Sequence, residues 1–511
     1  MKQTQFKEPF RPQYHFSPPA NWMNDPNGMV YFQGEYHLFY QYHPDGTTWG
    51  PMYWGHAVST DLVHWEHLPV ALYPDHNGYI FSGSVVVDWH DTSGFFGGNA
   101  GLVAVFTHSE PIPNTVNLYK QRQSLAYSSD SGRSWTMYEG NPVLSDDKQV
   151  DFRDPKVFWH RGLKQWVMVL AAGDHCRFYA SPDLKEWEFT GEFGKHEGSH
   201  DGVWECPDLF ELPVDGDQER KKWVLIVSIG DHQDHEEGSR TQYFIGEFDG
   251  RTFHSENPAD AVLWLDHGRD NYAGVTWSDV PERDGRRIFI GWMSNWKYAN
   301  YTPTSTWRSA MTIPRVLTLR EEAEGSRLFQ APAAELKSLR ETLLSRSNLW
   351  VETGENPLNN IRGKSLEIIA EIEPDDAARF GFRIHGSKQG EDGTVISYDC
   401  FNRRLMLDRR RSGVVDFHEQ FGCLHGERLE PVNGRLKLHL FIDWCSVELF
   451  ANDGKLVITD LIFPLSDCDR LEWCVTGGRI KLHSLEVYGL RTIYAGPAAS
   501  PVCLASGVEE E

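Results

Sequence analysis

A degenerate internal repeat limits what the first 315 residues of this 511-residue chain can become. A strand that runs into a turn and then an aromatic recurs as GHAVSTDLVHW, SLAYSSDSGRSW, CRFYASPDLKEW and FIGEFDGRTF, ending at Trp65, Trp135, Trp187 and Phe253. Each copy holds one Asp (Asp61, Asp130, Asp183, Asp249) suited to cap a turn, and the aromatic can fold back on the strands. Between the copies lie hairpins: MVYFQGEYHLFYQY (29–42), VFWHRGLKQWVMVL (157–170) and LFELPVDGDQERKKWVLIVS (209–228), with looser ones over 84–107 and 275–293. Almost no helical periodicity interrupts them. Five hairpins with outer strands make five four-stranded sheets, and such sheets repeated radially close into a β-propeller around a channel.

The expected fold is therefore all-β, with a five-bladed propeller over residues 14–318. Residues 319–349 are charged and carry helical apolar spacing in their second half, which predicts a linker with a short helix. From 350 to 495 alternating strands return, among them SLEIIAEIE, FGFRIHG, RLKLHLFID, SVELFAND and IKLHSLEVYGL. Their two-faced alternation and regular turns predict a C-terminal antiparallel β-sandwich. The last residues, PAASPVCLASGVEEE, read as a frayed tail.

Composition excludes several partners. Lys and Arg number 49 against 73 Asp and Glu, a net charge of −24, so nucleic acid would be repelled. No window approaches 18 consecutive apolar residues, and no membrane helix is expected. The opening MKQTQFKEPFRPQYHFSPP has no apolar leader core, and the expectation is a cytoplasmic protein. Eight cysteines without a C-x-x-C pair argue against a zinc ribbon or a disulfide scaffold. DHQDHEE (231–237) has metal-ligand residue types but reads as a solvated loop, and RRLMLDRRR (403–411) as a surface ladder. No metal and no cofactor are expected.

Acids followed by prolines open three of the repeat units: Asp25-Pro26, Asp154-Pro155 and Glu205-Cys206-Pro207. Equivalent positions on the innermost strands of a propeller converge on its axis, so three carboxylates from distant sequence would meet at one end of the channel. Like charges brought together cost free energy and favour protonation of one of them. Such a trio in an aromatic-lined funnel suits glycoside hydrolysis, with one acid, one nucleophile and one carboxylate for sugar hydroxyls. Nineteen Trp, sixteen of them before residue 320, could supply the lining, although most would serve the core.

The motifs NWMNDPNG (21–28), FYQYHP (39–44), FSGS (81–84), FRDP (152–155), WECPDLFEL (204–212) and WRSAMTIPR (307–315) resemble glycoside hydrolase family 32, the β-fructosidases. The resemblance implies a propeller followed by a sandwich and exo-acting, retaining hydrolysis of terminal β-fructofuranosides such as sucrose, inulin or levan. It further implies Asp25 as nucleophile, Glu205 as acid/base and Asp154 as the residue that binds fructose hydroxyls. Nucleophile and acid would then stand roughly 5–5.5 Å apart, against about 6.5–9.5 Å in an inverting enzyme. Glu205 would need a proton at working pH, which desolvation by flanking Trp204 and Cys206 would favour.

By the same resemblance Asn24, Gln41, Ser82 and Arg153 hydrogen-bond the sugar, while Trp22, Trp49, Phe81 and Trp292 wall a blind pocket. Trp296 and Trp54 divide evenly between pocket and core. His43 and Cys445 depart from the common motif without touching the acids. The alternatives are a fructosyltransferase on the same scaffold and a non-catalytic fructan-binding protein. The sandwich is expected to cover a propeller face or to pair two copies of the chain.

Overall fold

A computed structural model describes residues 6–115, 118–388, 390 and 392–494, so the C-terminal tail and Cys503 lie outside the described residues. Five blades, each built on four main strands, stand around one axis; blades 1 and 2 each gain a short fifth strand, blades 4 and 5 are joined into one ten-stranded sheet through Val214 and Leu319, and a two-sheet sandwich follows. The innermost strands of blades 1 to 5 are Asn21–Phe32, Tyr79–Asp88, Phe152–His160, Trp204–Val214 and Tyr272–Thr276. In blades 1 to 4 the chain runs outward strand by strand before stepping to the next blade. Closure comes from Trp307–Arg308, which returns from blade 5 to pair in parallel with Asn21 and Trp22.

The repeated aromatic turn joins the third strand to the fourth in blades 1 to 4. Asp61 accepts the backbone N–H groups of Val63 and His64 at 3.0 and 2.8 Å, and Asp183 and Asp249 cap their turns in the same way. The indole N–H groups of Trp65, Trp135 and Trp187 donate back to the carbonyls of Leu62, Gly132 and Leu184. Each turn thereby satisfies its own polar groups while the ring covers the strands.

Blade 5 lacks this turn. Its third and fourth strands are Arg315–Glu322 and Gly325–Pro332, joined by a simple hairpin. Much of the segment expected as a linker is therefore the outer edge of the propeller. It looks charged because it is exposed on one face only: Leu317 and Leu319 are buried while Thr318 and Arg320 are not. The expected helix is also corrected. Ala334–Leu339 forms a single short 3-10 segment that buries Leu336 and Leu339, and Arg340–Glu352 then pairs with Arg479–Leu490 as a strand. Pairing along that strand outweighs a helical spacing of leucines.

The sandwich stacks a six-stranded sheet on a five-stranded one over a mainly aliphatic core of residues such as Ile368, Leu440 and Ile458, with Phe382 packed among them. It meets the propeller through two further buried clusters, one around Ile313, Phe441 and Phe450 and one around Tyr298, Trp307, Phe421 and Cys445. The basic run 403–411 is not wholly a surface ladder. Its Arg409 is fully buried at this seam, donating to Asp270 at 2.6 Å and to the hydroxyl of Tyr298.

Candidate active site

Every inner strand breaks register at one shared height, and the strands of blades 1 and 4 break a second time further along. The pairing with the neighbouring strand skips one residue between Met23 and Pro26, Ile80 and Gly83, Arg153 and Lys156, Glu205 and Asp208, and Tyr272 and Val275. A bulge of this kind re-aims side chains at the rim of a sheet. Five in one ring turn five pairs of residues toward the axis. In blades 3, 4 and 5 the second bulge residue is left-handed, with φ of 66° at Asp154, 46° at Cys206 and 52° at Ala273. Such strain in non-glycine residues gathers at functional sites.

The acids do meet, but not at equivalent positions. Glu205 holds the first place of its bulge, with Arg153 and Tyr272; Asp154 holds the second, with Cys206; Asp25 holds the third, with Ser82. This stagger presents three carboxylates at different depths of one site. Asp25 Oδ1 accepts from the Asn24 amide at 3.0 Å and Oδ2 from the Ser82 hydroxyl at 2.7 Å. The Cys206 thiol lies 3.5 Å from both Asp25 Oδ2 and Asp154 Oδ2, and the Cys206 N–H donates to Asp154 Oδ2 at 3.0 Å. Arg153 donates to Glu205 Oε1 through Nε and Nη2 at 3.0 and 2.9 Å, while the Tyr272 hydroxyl donates to Oε2.

Two aromatic clusters flank the strands and loops that carry the acids. Trp22, Trp292 and Trp296 cluster on one side, with ring centroids 4.7 to 6.0 Å apart. Trp49, Phe81 and Tyr119 face one another on the other side, 6.2 to 6.4 Å apart. Trp22 and Trp292, expected as wall, are fully buried core residues like Trp54, whose indole N–H holds the Phe81 carbonyl; the half-buried Trp296, Trp49 and Phe81 pack over the Trp22 and Trp292 cluster and are the rings left to line the pocket. Asn24 is oriented by the Trp22 indole at 2.7 Å. The Gln41 amide spans blades 1 and 2, donating to Asn27 Oδ1 and to the Ile80 carbonyl. His43 braces the loop that carries Trp49: its Nδ1 contacts the Thr48 carbonyl, and a side chain at Gly50 would collide with its ring.

Below the acids the channel is plugged. Lys156 Nζ donates to the Thr276 carbonyl at 2.6 Å and to Asp208 at 3.3 Å. The cavity left between Asn27, Ser84, Asp154 and Pro207 measures about 10 Å³, room for about one water.

The family profile "Glycosyl hydrolases family 32 N-terminal domain" matches residues 15–332, and "Glycosyl hydrolases family 32 C terminal" matches residues 335–489. This chain belongs to glycosyl hydrolase family 32. Among family 32 relatives, a levanase of Bacillus subtilis (strain 168) is 52% identical over 495 residues, covering 96% of this chain and 72% of the relative. The crystal structure of an exo-inulinase from Aspergillus awamori superposes with a TM-score of 0.89 at 36% identity, covering 96% of this chain and all of that one. The β-fructofuranosidase of Schwanniomyces occidentalis, solved with fructosyl-erythritol, gives a TM-score of 0.84 at 31% identity, covering 96% and 100%.

The electrostatics of this family 32 site follow from its imbalance. Burial raises the Asp25 carboxyl, and Glu205 adds to the effect. Asp154 is pushed up to about 7, by burial first, with Arg153 acting against it and Glu205 and Asp25 acting with burial. The neighbours of Glu205 differ from expectation. Trp204 turns into the core against Phe244, and Cys206 sits on the two aspartates, so the groups touching Glu205 are Arg153 and Tyr272. The Tyr272 phenol is itself driven well above its ordinary value by burial and by Glu205, which keeps it a donor.

Tyr272, Tyr119 and the double contact of Cys206 were not singled out from the sequence. Tyr272 had one available signal: it stands in the same bulge position as Arg153 and Glu205, visible once NYAGVT is aligned with FRDPKV and WECPDL. The DHQDHEE loop is tied down by Lys297, which reaches Asp231 and the His232 carbonyl. Among the described residues no three His, Cys, Asp or Glu side chains group as a metal site.

Proposed function

We propose that this chain is a retaining, exo-acting β-fructosidase that releases terminal β-D-fructofuranosyl units from fructans, fructo-oligosaccharides and sucrose. The observation that carries the reading is the convergence of Asp25, Asp154 and Glu205 on one strained ring of bulges, with Arg153 the one cation touching them among the described residues. Asp25 is oriented by two neutral donors that favour its charged form, and it attacks C2 of the terminal fructose. Glu205, held between Arg153 and Tyr272, protonates the leaving oxygen and then activates the incoming water. Asp154, high in pKa and fixed by the Cys206 N–H, binds fructose hydroxyls as positive charge develops.

The plugged channel supports exo action. A sugar can enter only from the mouth, and an internal unit of a chain would need a second way out. The names of the relatives supply the substrate class: levanase, exo-inulinase and β-fructofuranosidase all act on fructosyl bonds. The test is an incubation with sucrose, inulin-type oligosaccharides and levan, following chain length and released sugar over time. Free fructose from the first time points, with chains shortening one unit at a time, is the expected result. Early release of oligosaccharides would overturn the exo reading, and intact substrates throughout would overturn the enzyme reading.

A further inference from the structure

We propose that Tyr301, braced by His418 of the sandwich, is a stacking platform for the sugar units that lie behind the scissile bond. The inference rests on the fructosidase reading above. The loop that carries Tyr301 follows strand Arg287–Met293, whose end supplies Trp292, and it contributes Trp296 to the pocket wall, so it lies at the catalytic end of the propeller. Asn300, the residue before Tyr301, accepts the backbone N–H of Trp49 at 2.9 Å, which sets the loop against the opposite wall. Arg308 fixes the backbone on the other side, donating to the carbonyls of Thr302 and Thr304 at 2.9 Å and to that of Asn300.

Tyr301 is 61% exposed, yet one face of its ring stacks on His418 with centroids 5.8 Å apart and planes 27° apart. Tyr298, one turn earlier, is buried against His418, Phe417 and Phe421 and anchors the same contact. An exposed aromatic needs no explanation when it stands alone on a mobile loop. Here backbone and ring are both immobilised beside the mouth of the site, and the second face is left open. A ring held in place binds at little entropic cost, and its flat apolar face matches that of a sugar. A terminal fructose seated in the plugged pocket must send the rest of its chain out across the mouth, and Tyr301 stands on that rim beside the Trp49 loop. The sandwich would then act in catalysis by selecting longer substrates, through His418.

The test compares kcat/KM on an inulin-type tetrasaccharide with that on sucrose for the wild type, Tyr301→Ala, Tyr301→Phe and His418→Ala. The ratio should fall about five-fold in Tyr301→Ala, through KM rather than kcat. Tyr301→Phe should keep the wild-type ratio, because stacking needs the ring and not the hydroxyl, and His418→Ala should fall between. An unchanged ratio in Tyr301→Ala, an equal loss on both substrates, or a Tyr301→Phe that behaves like Tyr301→Ala would overturn the proposal. A wild type that released no fructose from either substrate would instead refute the underlying function.

Discussion

At the seam between propeller and sandwich each buried carboxylate touches a cation, whereas at the propeller axis two of the three converging carboxylates touch none among the described residues. At the seam His15 lies 2.8 Å from Asp443 and 2.9 Å from Glu448, Arg315 reaches Glu448 and Asp266, Arg409 reaches Asp270 and Asp460, and His425 reaches Asp460. At the axis Asp25 meets Asn24, Ser82 and Cys206, and Asp154 meets a backbone N–H. Burial pushes the carboxyls up in both places. At Glu448 it is outweighed by Arg315 and His15, and at Asp460 by His425 and Arg409, so both end below their ordinary range. Asp25 and Asp154 end above theirs, and so does Asp270 at the seam, where burial and the neighbouring Asp460 outweigh Arg409. A buried charge is costly unless paired. The same residue types therefore join the two domains where each meets a cation, and we propose that they do chemistry where it does not.

Removing charge should separate the two regions. Asp25→Asn should lower kcat/KM by about 10⁴-fold, the order expected for loss of an essential catalytic group. It should leave the Tm equal to or above that of the wild type, because it relieves repulsion at the axis. A clear drop in Tm would show that Asp25 is structural and would break the contrast. Arg315→Ala should behave in the opposite way. It strands Glu448 and Asp266, and chemical unfolding should show a loss of about 3–5 kcal/mol; an unchanged unfolding midpoint would mean that the seam does not depend on its pairing.

His15 sharpens the comparison by pH. Burial lowers its affinity for a proton, but the bonds to Asp443 and Glu448 prevail and raise its pKa to about 9. The folded value lies above the unfolded one, near 6.5. Its stabilisation, about 3 kcal/mol, is therefore complete below pH 6.5 and is lost as pH rises through about 9. Stability measured from pH 6 to 10 should fall in the wild type, and a His15→Gln variant should show a flatter dependence. The smallest effect is expected at Tyr272. Tyr272→Phe removes one donor from Glu205 and should cost about ten-fold in kcat, with little change in KM for sucrose. A change in KM alone would place Tyr272 in binding rather than in tuning the acid.

The propeller was legible because four of its blades repeat one self-capping turn, and the acids were legible because each stands beside a proline or cysteine in a short motif. The fifth blade escaped in part because Arg315–Glu322 and Gly325–Pro332 are joined without the aromatic turn, so that a half-exposed hairpin looked like a charged linker. Arg340–Glu352 escaped because its leucines fit a helix until the partner strand Arg479–Leu490 is known. At the site, the three acids could be read locally, but their stagger within the bulges could not. That stagger depends on which residue of each inner strand loses its partner, a property of pairing between strands. Arg409 shows the same limit: its neighbours along the chain are exposed arginines, and only the packing of one domain on the other buries it against Asp270.

We propose that the unmatched carboxylates at the axis form a catalytic centre in which Asp25 attacks the fructosyl carbon. The most direct test is to treat a Glu205→Gln variant with fructosyl fluoride, whose leaving group needs no proton, and to map the modified peptide by mass spectrometry after an acid quench. With the base for water removed, a fructosyl ester should accumulate on the peptide that contains Asp25. An ester on Asp154, or free fructose formed with no covalent adduct at any time point, would contradict the account.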